Sequence, residues 1–122
     1  MPKRLNFVKD NDPLFPVQAF FNAISDDSFV RTVENLSKNI GAAFDDCDCE
    51  FPGDLDPGDE TFEGVRFSLF EEEVVVDQNT FQRFLRLACE EHLRRHPQDS
   101  HAINESLSSI VYTQDSIRGH PG

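Results

Sequence analysis

Residues 64–77 read GVRFSLFEEEVVVD, and the way this stretch folds decides the class of the protein. Val65, Phe67 and Leu69 alternate with Arg66, Ser68 and Phe70, the period of two that sends alternate side chains to opposite faces of a strand. Glu71 and Glu72 interrupt the pattern as a turn, and Val74 to Val76 return. The stretch predicts an antiparallel β-hairpin.

Helical spacing takes over on both sides. Upstream, Pro13 and Pro16 precede a short helical run, Val17 to Ile24. Asp26 or Asp27 can then cap a helix from Ser28 to Ile40. Its Phe29, Val33, Leu36 and Ile40 form one stripe, and Gly41 is placed to end it. Downstream, Asp77 or Asn79 can start a long helix to about Arg95, closed by Pro97. There Phe81, Leu85, Ala88 and His92 share a face that Phe84 and Leu87 widen. A last helix is expected from Asp99 to Tyr112, with Ile103, Leu107, Ile110 and Val111 inward. The prediction is an α+β fold: a single small domain over residues 1–122, with N-terminal helices, a short antiparallel hairpin or sheet, and two C-terminal helices. Residues 1–13 are expected as a loose arm and 115–122 as an exposed tail. With 122 residues, 38% of them hydrophobic and twelve of them Phe, the chain can fill one core.

The charge is segregated. Residues 1–44 carry five acids and five bases, and residues 78–122 again five of each. Residues 45–77 carry thirteen acids and one base, Arg66, so this block alone accounts for the net charge of −12. Solubility would spread charge over the surface, whereas one anionic block makes a directed field. Pro52, Gly53, Pro57 and Gly58 forbid a long helix within it, so it is expected as a loop. Phe44, Phe51 and Phe62 are interleaved with its acids, and are expected to pin that loop to the core and hold the carboxylates in a fixed array. Phe51 and Phe62 are also second-rank candidates for apolar anchors.

Other chemistries fit less well. In the EF-hand loop, Gly stands at position 6 and Glu at position 12. A loop starting at Asp54 has Asp59 and Val65 there, and one starting at Asp46 has Phe51 and Pro57. Cys47-x-Cys49 lacks the two-residue spacing of zinc pairs and has no second pair. Cys89, His92 and His96 share a helical face, but core packing for the cysteine and partly exposed helix-end imidazoles account for them, so neither metal nor cofactor is expected. The chain has no glycine-rich phosphate loop, no G-x-S-x-G and no H-E-x-x-H, which argues against an enzyme. Three cysteines do not make a disulfide framework. No secretory signal is legible, and no stretch reaches the ~18 apolar residues of a membrane span. A cytoplasmic protein without membrane contact is expected.

Docking to a basic partner uses the segregation directly. Two like charges ~6 Å apart repel by only ~0.7 kcal/mol in water, so the free protein tolerates the block and a cationic partner relieves it. Nucleic acid has the wrong sign for a partner, whereas a protein built to bind phosphates has the right one. An acidic-loop metal-binding protein and an adaptor for a basic cellular protein are the alternatives.

The segments FFNAI, LSKNIG, FPGDLDP, FEGVRFSLFEEEVVV and FQRFLRLACEEHL resemble the immunity proteins of bacterial contact-dependent growth inhibition systems, and among them the group paired with ribonuclease toxins. The resemblance covers roughly Phe20 to Leu93. It implies a non-catalytic cytoplasmic antidote that binds the C-terminal nuclease domain of a large exported toxin, often at its RNA-binding cleft. Some toxins of this class look like pancreatic-type ribonucleases, whose clefts are cationic. The residues expected at such an interface are Asp45, Asp46, Asp48, Glu50, Asp54, Asp56, Asp59, Glu60 and Glu63, with Glu71, Glu72 and Glu73 at the hairpin turn.

Overall fold

A computed structural model describes residues 4–9, 11–54, 57–58 and 62–118, with Asp54 and residues 111–118 described by backbone alone. Among the described residues the elements are α1 (Phe15–Ala23), α2 (Asp26–Ser37), β1 (Ala42–Phe44), β2 (Cys47–Glu50), β3 (Val65–Leu69), β4 (Glu72–Val76), α3 (Gln78–Arg95) and α4 (Ser100–Arg118). Short 3₁₀ turns lie at Pro52–Asp54 and Pro97–Asp99. The strands form one antiparallel meander in the order β1-β2-β3-β4. This is the expected α+β class.

The predicted hairpin is present, with Val65 opposite Val76 and Leu69 opposite Glu72. Its turn is Phe70–Glu71 rather than Glu71–Glu72. Gly64 enters β3 at φ 105°, and a Cβ there would collide with the Val76 carbonyl, so only glycine fits. A second hairpin was not expected. The front of the acidic block is not loop: β1 and β2 turn at Asp45–Asp46, with Ala42 opposite Cys49 and Phe44 opposite Cys47. Cys47 and Cys49 are buried while Asp48 is exposed and Glu50 half-buried, a period of two in which the thiols act as small apolar groups.

Helix α1 lies on the inner face of the sheet. Phe20 meets Phe67 and Phe44 at ring-centroid distances of 5.5 and 5.8 Å, and Phe67 reaches Phe81 of α3 at 6.2 Å. Phe51 packs edge-on against Phe81 and is fully buried, as the pinning expectation required. Helix α2 packs against α4. Its C-terminus falls at Ser37, earlier than expected. Asn39, not Gly41, supplies the left-handed residue at φ 61°. The N–H of Asn39 donates to Leu36 O and that of Ile40 to Asn35 O, a Schellman motif with Asn in the glycine position. Asp77 caps α3 by accepting from the Thr80 N–H at 2.8 Å.

The loose arm is corrected over its described part. Gln18 and Asn22, one turn apart on α1, pair with the backbone of residues 5–8 as a neighbouring strand would. Gln18 accepts from the N–H groups of Phe7 and Val8 and donates to Val8 O, and Asn22 accepts from and donates to Leu5. Arg4 and Leu5 are buried. At the other end α4 continues through Arg118, so residues 115–118 of the expected tail are helical, and 119–122 lie outside the described residues.

Candidate functional site

The register brings both hairpin turns to one end of the sheet. Cys47 lies opposite Leu69, so Phe44, Cys47, Leu69 and Glu72 form the terminal row, and the Asp45–Asp46 and Phe70–Glu71 turns project side by side beyond it. Asp45, Asp46, Glu71 and Glu72 are all exposed there. Among the described residues no salt bridge reaches any of the four. Just beneath the first turn, burial pushes the Cys47 thiol up, and the neighbouring Asp45, Asp46 and Asp48 push it further. In the middle of this acidic end stands Phe70, 74% exposed and held at φ 55°. Sequence reasoning passed over Phe70 as an anchor, because alternation treats it as the last outward residue of a strand.

The outer face of the sheet continues the acidic surface. Asp48, Ser68 and Glu73 form one row across it, and Glu50, Arg66 and Val75 the next. Arg66 neutralises part of this face. Its Nε and terminal nitrogen both bond one oxygen of Glu50, at 3.1 and 2.9 Å, and Glu73 lies 3.9 Å away. The guanidinium also sits 4.6 Å over the Phe62 ring, so Phe62 serves as a platform for the arginine. Asp48 and Glu73 are exposed and Val75 is 42% exposed.

The remaining expected residues divide into two groups. Glu63 is exposed at the opposite end of β3, roughly 20 Å from the turns at ~3.3 Å per residue. Asp54 is described by backbone alone, and Asp56, Asp59 and Glu60 lie outside the described residues. The described structure thus brings together Asp45, Asp46, Asp48, Glu50, Glu71, Glu72 and Glu73, and sets Glu63 apart.

Cys47 and Cys89 are held as thiols by burial. None of the three cysteines forms a disulfide and all are buried, and burial pushes the Cys89 thiol up to about 12. Among the described residues, the acidic block provides no group of three ligand atoms close enough for a metal. The grouping that exists lies elsewhere, and it is not the expected helix-face trio. Asp26 of α2, rather than Cys89, joins His92 and His96, with one ligand atom from each all within 4.8 Å of one another. His92, expected to be partly exposed, is fully buried, stacked between Phe29 and His96.

A family model described as CDI immunity protein matches residues 13–107. No curated protein matches the chain significantly. The family match begins just ahead of α1, takes in the whole sheet with both acidic turns, and ends in α4; on that span, the chain belongs to the CDI (contact-dependent growth inhibition) immunity proteins.

Proposed function

We propose that the protein is the antidote to a cationic ribonuclease toxin domain and binds it through the acidic end and outer face of its sheet. Family membership supports the immunity role and a cognate toxin as partner. The finer reading rests on one observation: four exposed carboxylates rim the exposed Phe70 where the two turns meet. A protruding aromatic anchor inside a charged rim suits a phosphate-binding cleft, because the anchor supplies desolvated contact and the rim steers approach. Asp45, Asp46, Glu71 and Glu72 form the centre of this interface, with Asp48 and Glu73 beside them. Glu50 contributes less, since Arg66 engages it. Asp54, Asp56, Asp59, Glu60 and Glu63 add to the surrounding field.

The mechanism is occlusion without chemistry. Carboxylates occupy positions where RNA phosphates would sit and pair with the toxin's Lys, Arg or His side chains. The same field repels RNA from the inhibitor itself. The antidote works in the cytoplasm, where the toxin's RNA lies, and no helix of the described residues is long and apolar enough to cross a membrane.

The test uses the cognate toxin domain, to be sought in the gene immediately upstream of this one. Asp46→Lys combined with Glu71→Lys should slow association at least about tenfold, and the wild-type rate should fall steeply with salt. Unchanged binding by the double variant would remove the sheet end from the interface. A salt-independent rate would remove the steering.

A further inference from the structure

The start of α2 and the end of α3 meet at a group of side chains outside the proposed toxin interface. His92 is 0% exposed. One ring nitrogen, Nε2, lies 2.8 Å from Asp99 Oδ2, so in the neutral ring the proton sits there. The other, Nδ1, is left as a buried lone pair with no hydrogen-bond partner. It faces Asp26, whose Oδ1 is 4.0 Å away, too far for a hydrogen bond. Asp26 Oδ2 lies 3.2 Å from His96 Nε2.

We propose that Asp26, His92 and His96 form a binding site for a borderline divalent transition ion, zinc foremost. The donor set is two imidazoles and a carboxylate, with the histidines at the x₃ spacing of helical zinc ligands. At zinc–ligand distances of ~2.0–2.1 Å, tetrahedral ligand atoms stand about 3.3 Å apart. Asp26 Oδ2 and His96 Nε2, 3.2 Å apart, already stand at that separation, and one ligand atom from each of the three residues lies within 4.8 Å of the others, so closing His92 onto the ion takes a contraction of up to about 1.5 Å. Asp99 on His92 Nε2 is the outer carboxylate that orients a metal-bound imidazole and directs its lone pair. Arg4 holds Asp26 Oδ1 at 2.8 Å, leaving Oδ2 to the ion. His96 and Asp26 are 31% and 29% exposed, so a water or a further ligand has access to the fourth position. The ion would clip the start of α2 to the end of α3.

The experiment titrates zinc chloride into chelator-treated full-length protein, with calorimetry and thermal unfolding as readouts. One equivalent should bind, raising the midpoint by about 10 °C at a hundredfold excess over Kd. His96→Ala, at a half-buried position the core does not require, should abolish this shift and leave the metal-free midpoint within a few degrees. Asp99→Asn should weaken binding about 10–100-fold. His101→Ala, at an exposed histidine, and Cys47→Ala with Cys49→Ala, which keeps both core positions apolar, should bind as wild type. Absence of saturable binding, full binding by His96→Ala, or loss of binding in either control would overturn the site.

Discussion

The backbone N–H of Phe70 donates to the carbonyl of Asp46 over 3.2 Å, tying the two hairpin turns of the sheet together. The tie holds a bulky side chain at φ 55°, where an L-residue pays about 1–2 kcal/mol relative to right-handed backbone. Phe70 gains little from burial in return, being 74% exposed. A strained, exposed aromatic is the pattern of a residue kept for contact with something else. Phe70→Gly therefore separates the two roles. Glycine adopts this conformation freely but costs ~0.5–1 kcal/mol in chain entropy, so folding stability should hold or rise by up to about 1 kcal/mol in urea titration. Affinity for the toxin should fall about tenfold or more. Equal affinity would show that Phe70 is not an anchor.

The two hairpins differ in how plainly the sequence announces them. The β3–β4 hairpin is visible because Val, Phe and Leu alternate with polar residues. The β1–β2 hairpin carries the same alternation in Cys47, Asp48, Cys49, Glu50 and Phe51, but it is legible only when cysteine counts as apolar rather than as a ligand. Phe70 cannot be singled out from local sequence, since its backbone angle is imposed by the register of β2 against β3. The i, i+4 pairing of His92 and His96 could be read from spacing alone. Their junction with Asp26 could not, because it depends on how α2 and α3 meet, and Asp26 lies 70 residues before His96 in the chain. The docked arm was missed for the same reason: its partners, Gln18 and Asn22, are polar residues on a helix read for its apolar ones.

Arg4 is the residue on which that arm depends. Its guanidinium donates to Phe21 O and Ile24 O at the end of α1 and to Asp26 Oδ1 at the start of α2, and lies 4.3 Å over the Phe29 ring. One buried fork thus satisfies orphan carbonyls of one helix and the first-turn carboxylate of the next. Arg4→Met fills the volume but leaves those acceptors unpaired, at a cost of about 3 kcal/mol. The urea midpoint should fall by about 2 M. Arg4→Lys should recover only part of the loss, because an ammonium cannot span three acceptors in this geometry. A midpoint within about 0.5 M of wild type for Arg4→Met would show that the arm contributes little to the fold.

Acid should weaken the fold through two aspartates at helix starts. The Thr80 N–H holds the Asp77 carboxyl below its ordinary value. At Asp26 burial pushes the carboxyl up, but the hydrogen bond from His96 and the charges of Arg4 and Arg95 together outweigh it and the net shift is downward. A carboxyl depressed in the folded state binds fewer protons there than in the unfolded chain. Its stabilisation is complete above the unfolded value, near ~3.9, and is lost as pH falls through the lower folded value. Asp77→Asn keeps an oxygen to accept from Thr80 but removes the titration. The stability gap between wild type and Asp77→Asn should be constant from neutral pH to about pH 5, then close as pH drops below about 4. Urea titrations across that range measure it directly. A gap that persists unchanged into strong acid would mean that the Asp77 cap acts through its hydrogen bond alone, with no contribution from its charge.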